Sequence, residues 1–453
     1  MPYHLRACFL YLGIFPRKSK FSVSKLAHMW IAEGFIPRKD GVTLEETAEE
    51  YLKELNPHAD GENFLQEFRN SGPEGFYPPI DEVKKNRRVC IHAHISKFIE
   101  TLISSRHQTL KIGLRSFVSH SDTEVTLHGK NISIIRAAFK LLRVLDAKPI
   151  KVNKIHSDLC LLVHLRYVTL SLNGDVLPEA ISKLRNMQTL TVHTTSCTLK
   201  IEADILKMVE LRHFQTNASA TLPKKSKASE EDERLQTLCG ISPKSCTQEF
   251  FSKLPNLKKL GICGQLGLLL LDGKNELLSK LVKVEKLKLL NQVTSPKDED
   301  DLSKLFDQPP RFPPNLRSLT LSATSLDWKH ISILGSLQEL EELKLKNDAF
   351  VGDKWEVHDE GFPNLKTLKI ESLHLIHWKS TSAHFPKLKR LMLSKCEKLR
   401  EIPVELADIS TFQELHLRNA NQSAIECAND ILADKLHMKQ NDNNIMFELL
   451  FDD

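Results

Sequence analysis

From residue 142 onward, apolar and polar positions alternate in short bursts, each led by a leucine or a conservative substitute. The pattern L-x-x-L-x-L begins at 142, 165, 187, 211, 235, 257, 284, 316, 340, 365, 388 and 412. Leu257-Lys258-Lys259-Leu260-Gly261-Ile262, Leu316-Arg317-Ser318-Leu319-Thr320-Leu321 and Leu340-Glu341-Glu342-Leu343-Lys344-Leu345 are examples. Nine of the eleven spacings are 22 to 25 residues, and the others are 27 and 32. A period of two within each burst predicts a half-buried strand, with leucines turned inward and the intervening residues outward.

A supersecondary unit that recurs every two dozen residues cannot bury its apolar edge alone. It stacks on its neighbours, and the period falls in the range of leucine-rich repeats. The predicted fold class is therefore α/β: a leucine-rich-repeat solenoid, a parallel-strand horseshoe with one concave sheet, preceded by a small helical module. Leu177–Leu184 and Ile402–Leu406 carry prolines that suit a helical turn on the convex side. Pro255, Pro314, Pro363 and Pro386 sit one or two residues before a strand-opening leucine, as an extended entry requires. Leu114-Arg115-Ser116-Phe117 and Arg88-Val89-Cys90-Ile91-His92 extend the pattern upstream, so the repeats are placed at 85–430. A helical module at 1–55, a disrupted linker at 56–84 and a C-terminal tail at 431–453 complete the division. Ala218–Arg234 and Pro296–Pro310, rich in charge, are expected as solvated surface loops.

Within the module, Val23, Leu26, Ala27, Trp30 and Ile31 have helical spacing, and Ala48, Tyr51, Leu52 and Leu55 share one helical face. The residues say more than the spacing. Cys8-Phe9-Leu10-Tyr11-Leu12-Gly13-Ile14-Phe15-Pro16, then Lys25-Leu26-Ala27-His28-Met29-Trp30-Ile31-Ala32-Glu33-Gly34-Phe35-Ile36, resemble the winged helix of plant NB-ARC disease-resistance proteins. Ala48–Leu55 is similar to the helix that follows there. Cys8, Phe9, Leu10, Tyr11, Phe15, Pro16, Trp30, Glu33 and Gly34 carry the match. It is nearest the coiled-coil class and its late-blight-resistance-like members. The resemblance implies an intracellular immune receptor whose repeats take part in effector recognition and self-inhibition. Its implied partners are a pathogen effector or host guard target and other immune-receptor domains.

Departures from the family narrow that implication. No G-x-x-x-x-G-K-[ST] occurs, so the backbone cradle and lysine that hold nucleotide phosphates are missing. The expectation is a truncated receptor-like chain with no cofactor of its own, although family members bind ADP or ATP. Ile91-His92-Ala93 could be a degenerate Met-His-Asp triplet, which would turn His92 toward a nucleotide; Arg87–His92 reads better as the opening repeat strand. Apolar surface left on a shortened winged helix is expected to be exposed and prone to aggregation.

Composition adds exclusions. Sixty-three basic and 58 acidic residues give a net charge of +5 spread along the chain, which does not make a nucleic-acid footprint. Nine cysteines without a C-x-x-C pair support neither a disulfide framework nor a zinc site, and suit a reducing, cytoplasmic setting. No apolar run spans a bilayer, and no G-x-S-x-G or H-E-x-x-H points to an enzyme. His92 and His94 share a strand face but lack a third ligand nearby. Trp328, Trp355 and Trp378 fall between strands and are expected to pack on the convex side.

The candidate partner-binding surface is the outward face of successive strands: Arg317, Ser318 and Thr320; Glu341, Glu342 and Lys344; Lys366, Thr367 and Lys369; Lys389, Arg390 and Met392. From 340 on it forms a basic stripe punctuated by acids. Two functions compete on these grounds: an immune-receptor-like protein that recognises proteins, and an F-box-type substrate receptor of a ubiquitin ligase. Met1-Pro2-Tyr3-His4-Leu5 imitates the ligase-docking opening poorly.

Overall fold

Each of the twelve leucine-led motifs opens a β-strand two residues after its first position, from Val144 behind Leu142 to Glu414 behind Phe412. This is seen in a computed structural model that describes residues 1–15, 22–55, 86–91, 100, 113–120, 124–127, 139–155, 157–223, 234–270, 277–292, 312–357, 361–441 and 447–452. The linker expected at 56–84, His92 with its two alternative readings, His94, Pro16 and the loop at 296–310 lie outside the described residues. The chain divides into two units, Met1–Leu235 and Gln236–Asp453.

The first unit begins with a 3-10 turn, Tyr3–Leu5, and three helices: α1 (Arg6–Leu12), α2 (Val23–Glu33) and α3 (Leu44–Leu55). Gly34 ends α2 at φ 84°, a left-handed cap in which its amide bonds back to the carbonyls of Trp30 and Ile31. A capping box starts α3: the Glu46 amide donates to Thr43 Oγ1, and the Thr43 amide to the Glu46 carboxylate. Strands β1 (Arg88–Ile91), β2 (Ser116–Ser119), β3 (Val125–Leu127), β4 (Val144–Val152), β5 (Tyr167–Leu172), β6 (Val176–Leu177), β7 (Thr189–Thr194), β8 (Thr198–Ile201) and β9 (His213–Thr221) follow. The main ladder runs β1–β2–β4–β5–β7–β9, all parallel. Arg88–Ile91 is thus a strand of the ladder. Ala218–Thr221, expected in a loop, belongs to β9 and pairs with β8; the small Ala218 and Ala220 are fully buried there.

The second unit stacks β10 (Thr237–Ile241), β11 (Lys259–Gly264), β12 (Lys286–Asn291), β13 (Ser318–Ser322), β15 (Glu342–Lys346), β18 (Thr367–Glu371), β20 (Arg390–Ser394), β21 (Glu414–Arg418) and β22 (Glu448–Asp452) in parallel. Short pairs β14 (Leu326–Asp327) with β16 (Phe350–Val351), and β17 (Lys354–Glu356) with β19 (His377–Lys379), lie in the connections. Leu319, Leu343, Leu368, Leu391 and Leu415 stand in register and are all fully buried. Each contributes about 1.5–3 kcal/mol by leaving water. The proline-led segments expected as helical turns are 3-10 helices at Glu179–Lys183 and Val404–Asp408.

Strand exits are also periodic. Ala323, Asn347, Ser372, Lys395 and Asn419, each directly after its strand, take left-handed φ values of 48–53°. The first four turn their amides onto Lys346, Glu371, Ser394 and Arg418 carbonyls of the next repeat, at 2.8–3.1 Å. An unfavourable backbone conformation is thus exchanged for a bond between repeats.

The C-terminus corrects the expected tail. A helix covers Gln422–Asn441, and β22 continues the ladder with Leu415 opposite Leu449 and Leu417 opposite Phe451. Its leading position, Met446, comes 34 residues after Phe412, outside the spacing of the other bursts, which hid the strand from the repeat pattern. Inside the helix, Lys435 is 1% exposed; its amine donates to the Ile409 carbonyl at 2.6 Å, and burial pulls its pKa down.

Candidate functional site

In the first unit, the outward face of the ladder is occupied by the helical module. Leu5, Cys8, Tyr11, Leu26, Trp30 and Tyr51 form one apolar cluster with Cys90, Val118, Val144 and Tyr167 from β1, β2, β4 and β5. The apolar surface expected to be left open on the module is buried against these strands. Cys8, Tyr11, Phe15 and Trp30 are buried, Phe9 is partly buried, and Leu10 stays 43% exposed. Burial pushes the Cys8 thiol up to about 12, which makes it an inert core thiol.

Polar contacts fix how the module sits. Ser116 Oγ donates to the Glu33 carboxylate at 2.5 Å, leaving Tyr11 as donor to Ser116 at 3.2 Å. Arg88 Nε reaches Glu33 at 3.4 Å, and its guanidinium lies over the Phe35 and Tyr11 rings. Arg143 donates to the Glu33 carbonyl at 2.7 Å and Arg166 to the Ala32 carbonyl at 3.5 Å. Three arginines therefore converge on the negative end of α2. Lys25 pairs at 2.5 Å with Asp146, whose carboxyl is raised by burial despite that partner. Glu45, on α3, receives two hydrogen bonds from Arg212 and one from His213. Burial pushes its carboxyl up, but those bonds more than offset it and hold it well below the carboxylate range. His28 stacks on His213 with centroids 3.7 Å apart.

In the second unit, the outward rows carry the residues singled out from the sequence. Register aligns Lys259, Lys286, Ser318, Glu342, Thr367, Arg390 and Glu414 in one row, and Gly261, Lys288, Thr320, Lys344, Lys369, Met392 and His416 in the next. Glu341 bridges Arg317 at 3.5 Å and Lys366 at 3.1 Å, one repeat to either side. Glu342 takes a hydrogen bond from Ser318 and pairs with Lys344 at 2.8 Å; burial raises its carboxyl, these partners more than offset that, and the pKa is lowered. Lys346 pairs with Glu371, and Arg390 with Glu414 at 3.0 Å. Lys369 is lowered by burial and by neighbouring Lys344. Lys389 and Arg390 are exposed, and Thr367 and Met392 half-buried. Lys344, Lys346, Lys366 and Arg390 of the stripe are thus paired with carboxylates.

A different set of cations was missed in the sequence. Lys259, Lys286 and Lys288, on β11 and β12, have no carboxylate partner among the described residues. Their signal was the bursts Leu257–Ile262 and Val284–Leu289, where outward positions hold lysine and no acid except Glu285.

The three tryptophans form a stack. Trp328 and Trp355 lie 4.8 Å apart at 13°, and Trp355 and Trp378 4.8 Å apart at 2°, with Phe350 against Trp328. Beside Trp378 opens a cavity of about 560 Å³. Two of its carboxylates are already paired, Glu356 with Lys354 and Glu401 with His377. Among the described residues no group of three His, Cys, Asp or Glu side chains could hold a metal ion, and no helix is long and apolar enough to cross a membrane.

Residues 114–445 match the model of a leucine-rich repeat region, and residues 14–75 that of a disease resistance protein winged helix domain. The winged-helix match begins at residue 14 and assigns most of the N-terminal helical segment to a disease-resistance module rather than to a ligase-docking adaptor. A putative late blight resistance protein homolog of Solanum demissum is 28% identical over 98% of this chain and 36% of its own length. A second such homolog is 29% identical over the same shares. A late blight resistance protein of that plant is 30% identical, again over 98% and 36%. The chain therefore spans about a third of the length of the curated relatives it matches.

Proposed function

Since this chain belongs to the leucine-rich-repeat family and carries the winged helix of disease resistance proteins, we propose that it serves plant defence by recognising proteins. The second unit's strand face is the recognising surface, and the partner is a pathogen effector, a host protein that such an effector targets, or another domain of an immune receptor. The setting is the cytoplasm of a plant cell, where nine free thiols remain reduced. One observation supports this reading above others. The outward rows of β11 to β21 present half-buried and exposed polar side chains in fixed register, on a frame held rigid by buried leucine rows. A rigid, polar, solvent-facing sheet suits contact with another protein.

Proximity labelling tests the proposal. The tagged chain is expressed in leaf tissue, with and without infection, beside a variant carrying Arg317→Glu, Lys344→Glu and Arg390→Glu. The expected result is a set of labelled proteins that the variant loses. Identical labelling by the two chains overturns the role of this face.

A further inference from the structure

We infer that strands β11–β13 form a docking site for an extended, acidic polypeptide segment of the form acid-x-acid-x-apolar. This rests on the protein-recognition reading above and names the chemistry of the partner.

The argument starts from charge. Elsewhere on the outward face of the second unit, several cations meet carboxylates: Arg317 and Lys366 meet Glu341, Lys344 meets Glu342, Lys346 meets Glu371 and Arg390 meets Glu414. On β11, β12 and β13 the outward positions are Lys259, Gly261 and Cys263; Lys286, Lys288 and Leu290; Ser318, Thr320 and Ser322. They include no acid. Glu285, one position before the first row, is the carboxylate on the border, and Lys258 and Arg317 flank it in the adjoining repeats. Lys286 and Lys288 are exposed and Lys259 is half-buried. A cluster without a carboxylate partner among the described residues, on a face where several other charges are paired, is complementary to an anion.

The spacing then selects the form of the partner. Lys286 and Lys288 alternate along one strand, so their stems leave the sheet roughly 6.5–7 Å apart. An extended segment projects alternate side chains at that same interval, so acids two residues apart meet both lysines. Lys259 stands opposite Lys286 on the neighbouring strand and shares the first acid. One position further along, the open surface turns apolar at Leu290, which is half-buried, while Cys263 opposite it is already covered at 4% exposure. An apolar residue two places after the second acid settles there. Polypeptide is favoured over nucleic acid because these positions offer no arginine and no aromatic ring on which a base could stack.

The test uses fluorescein-labelled peptides and the full chain, read by fluorescence anisotropy. The acidic probe is Ser-Asp-Ser-Asp-Ser-Leu-Ser; companions replace Asp by Asn or by Lys, and a single-stranded oligonucleotide is run beside them. The expected result is binding of the acidic probe that weakens with salt, falls about tenfold in the Lys286→Glu/Lys288→Glu double variant, and survives Lys286→Arg/Lys288→Arg. Both lysines are exposed, and matching thermal melts show that the double variant is folded. Equal binding by the double variant, or tighter binding of the oligonucleotide than of the acidic probe, overturns the site. Binding of only the Asn or Lys peptide overturns the acidic preference and leaves the protein-recognition reading standing. If no peptide binds while the proximity experiment still finds partners lost with the other face residues, the site fails alone; if both fail, the reading fails with it.

Discussion

Glu45 holds Arg212 through two hydrogen bonds of 2.6 Å across 167 residues of chain, joining α3 to the residue that leads into strand β9. Each side chain is 14% exposed, so the pair is drier than an ordinary surface bridge. Removing one member strands the other's charge. Arg212→Ala is expected to cost about 3–5 kcal/mol. The double variant with Glu45→Ala should cost less than the sum of the two single changes, as a urea-unfolding cycle would show; strict additivity would mean the pair is not coupled.

The same carboxylate gives a pH dependence. Its folded pKa lies below the unfolded value of about 4.3, so above that pH its stabilisation is fully present. As pH falls further, the unfolded chain takes up a proton that folded Glu45 does not, and stability declines toward the folded pKa. Glu45→Gln should flatten this part of the curve in denaturation melts between about pH 5 and pH 3.

The tryptophan stack is expected to hold the connections of successive repeats together. Trp355 is fully buried between two indoles, and Trp355→Ala should lose about 3–5 kcal/mol. The exciton signature of stacked indoles in near-ultraviolet circular dichroism should weaken with it. An unchanged spectrum would show that the rings do not stack in solution.

Lys395 sits at φ 53° after β20, where a side chain is strained and glycine is not. Lys395→Gly should stabilise the chain by about 1 kcal/mol, because the left-handed conformation costs other residues about that much. Lys395→Val should destabilise it. A shift in the same direction for both, measured by chemical denaturation, would contradict the turn geometry.

Nucleotide is expected to leave the chain untouched. Without a G-x-x-x-x-G-K-[ST] loop no row of amides surrounds a phosphate, so isothermal titration with ADP or ATP should show no binding heat. Micromolar affinity would refute this.

Much of the fold was visible in the residues. Leucine spacing located the twelve main-ladder strands that open from Val144 to Glu414, though not the short strands of the connections, and the signature around Trp30 and Gly34 identified the helical module. The site was less visible. Lys344 and Lys346 look like parts of a basic stripe in the chain, yet each meets a carboxylate, Lys346 one contributed from 25 residues away. The strand β22 escaped because its burst, led by Met446, comes 34 residues after Phe412, outside the spacing of the other bursts.

The chain by itself determined its period, its inward leucines and the kind of module that precedes them, because those follow from local alternation and from residue identity. Only the tertiary structure decided which charges cancel, which on β11 and β12 meet no carboxylate among the described residues, and that the module covers strands β1, β2, β4 and β5 rather than leaving its apolar side to water. Those outcomes depend on register: neighbours on a parallel ladder are a strand spacing apart in space and two dozen residues apart in sequence, so no local pattern records them.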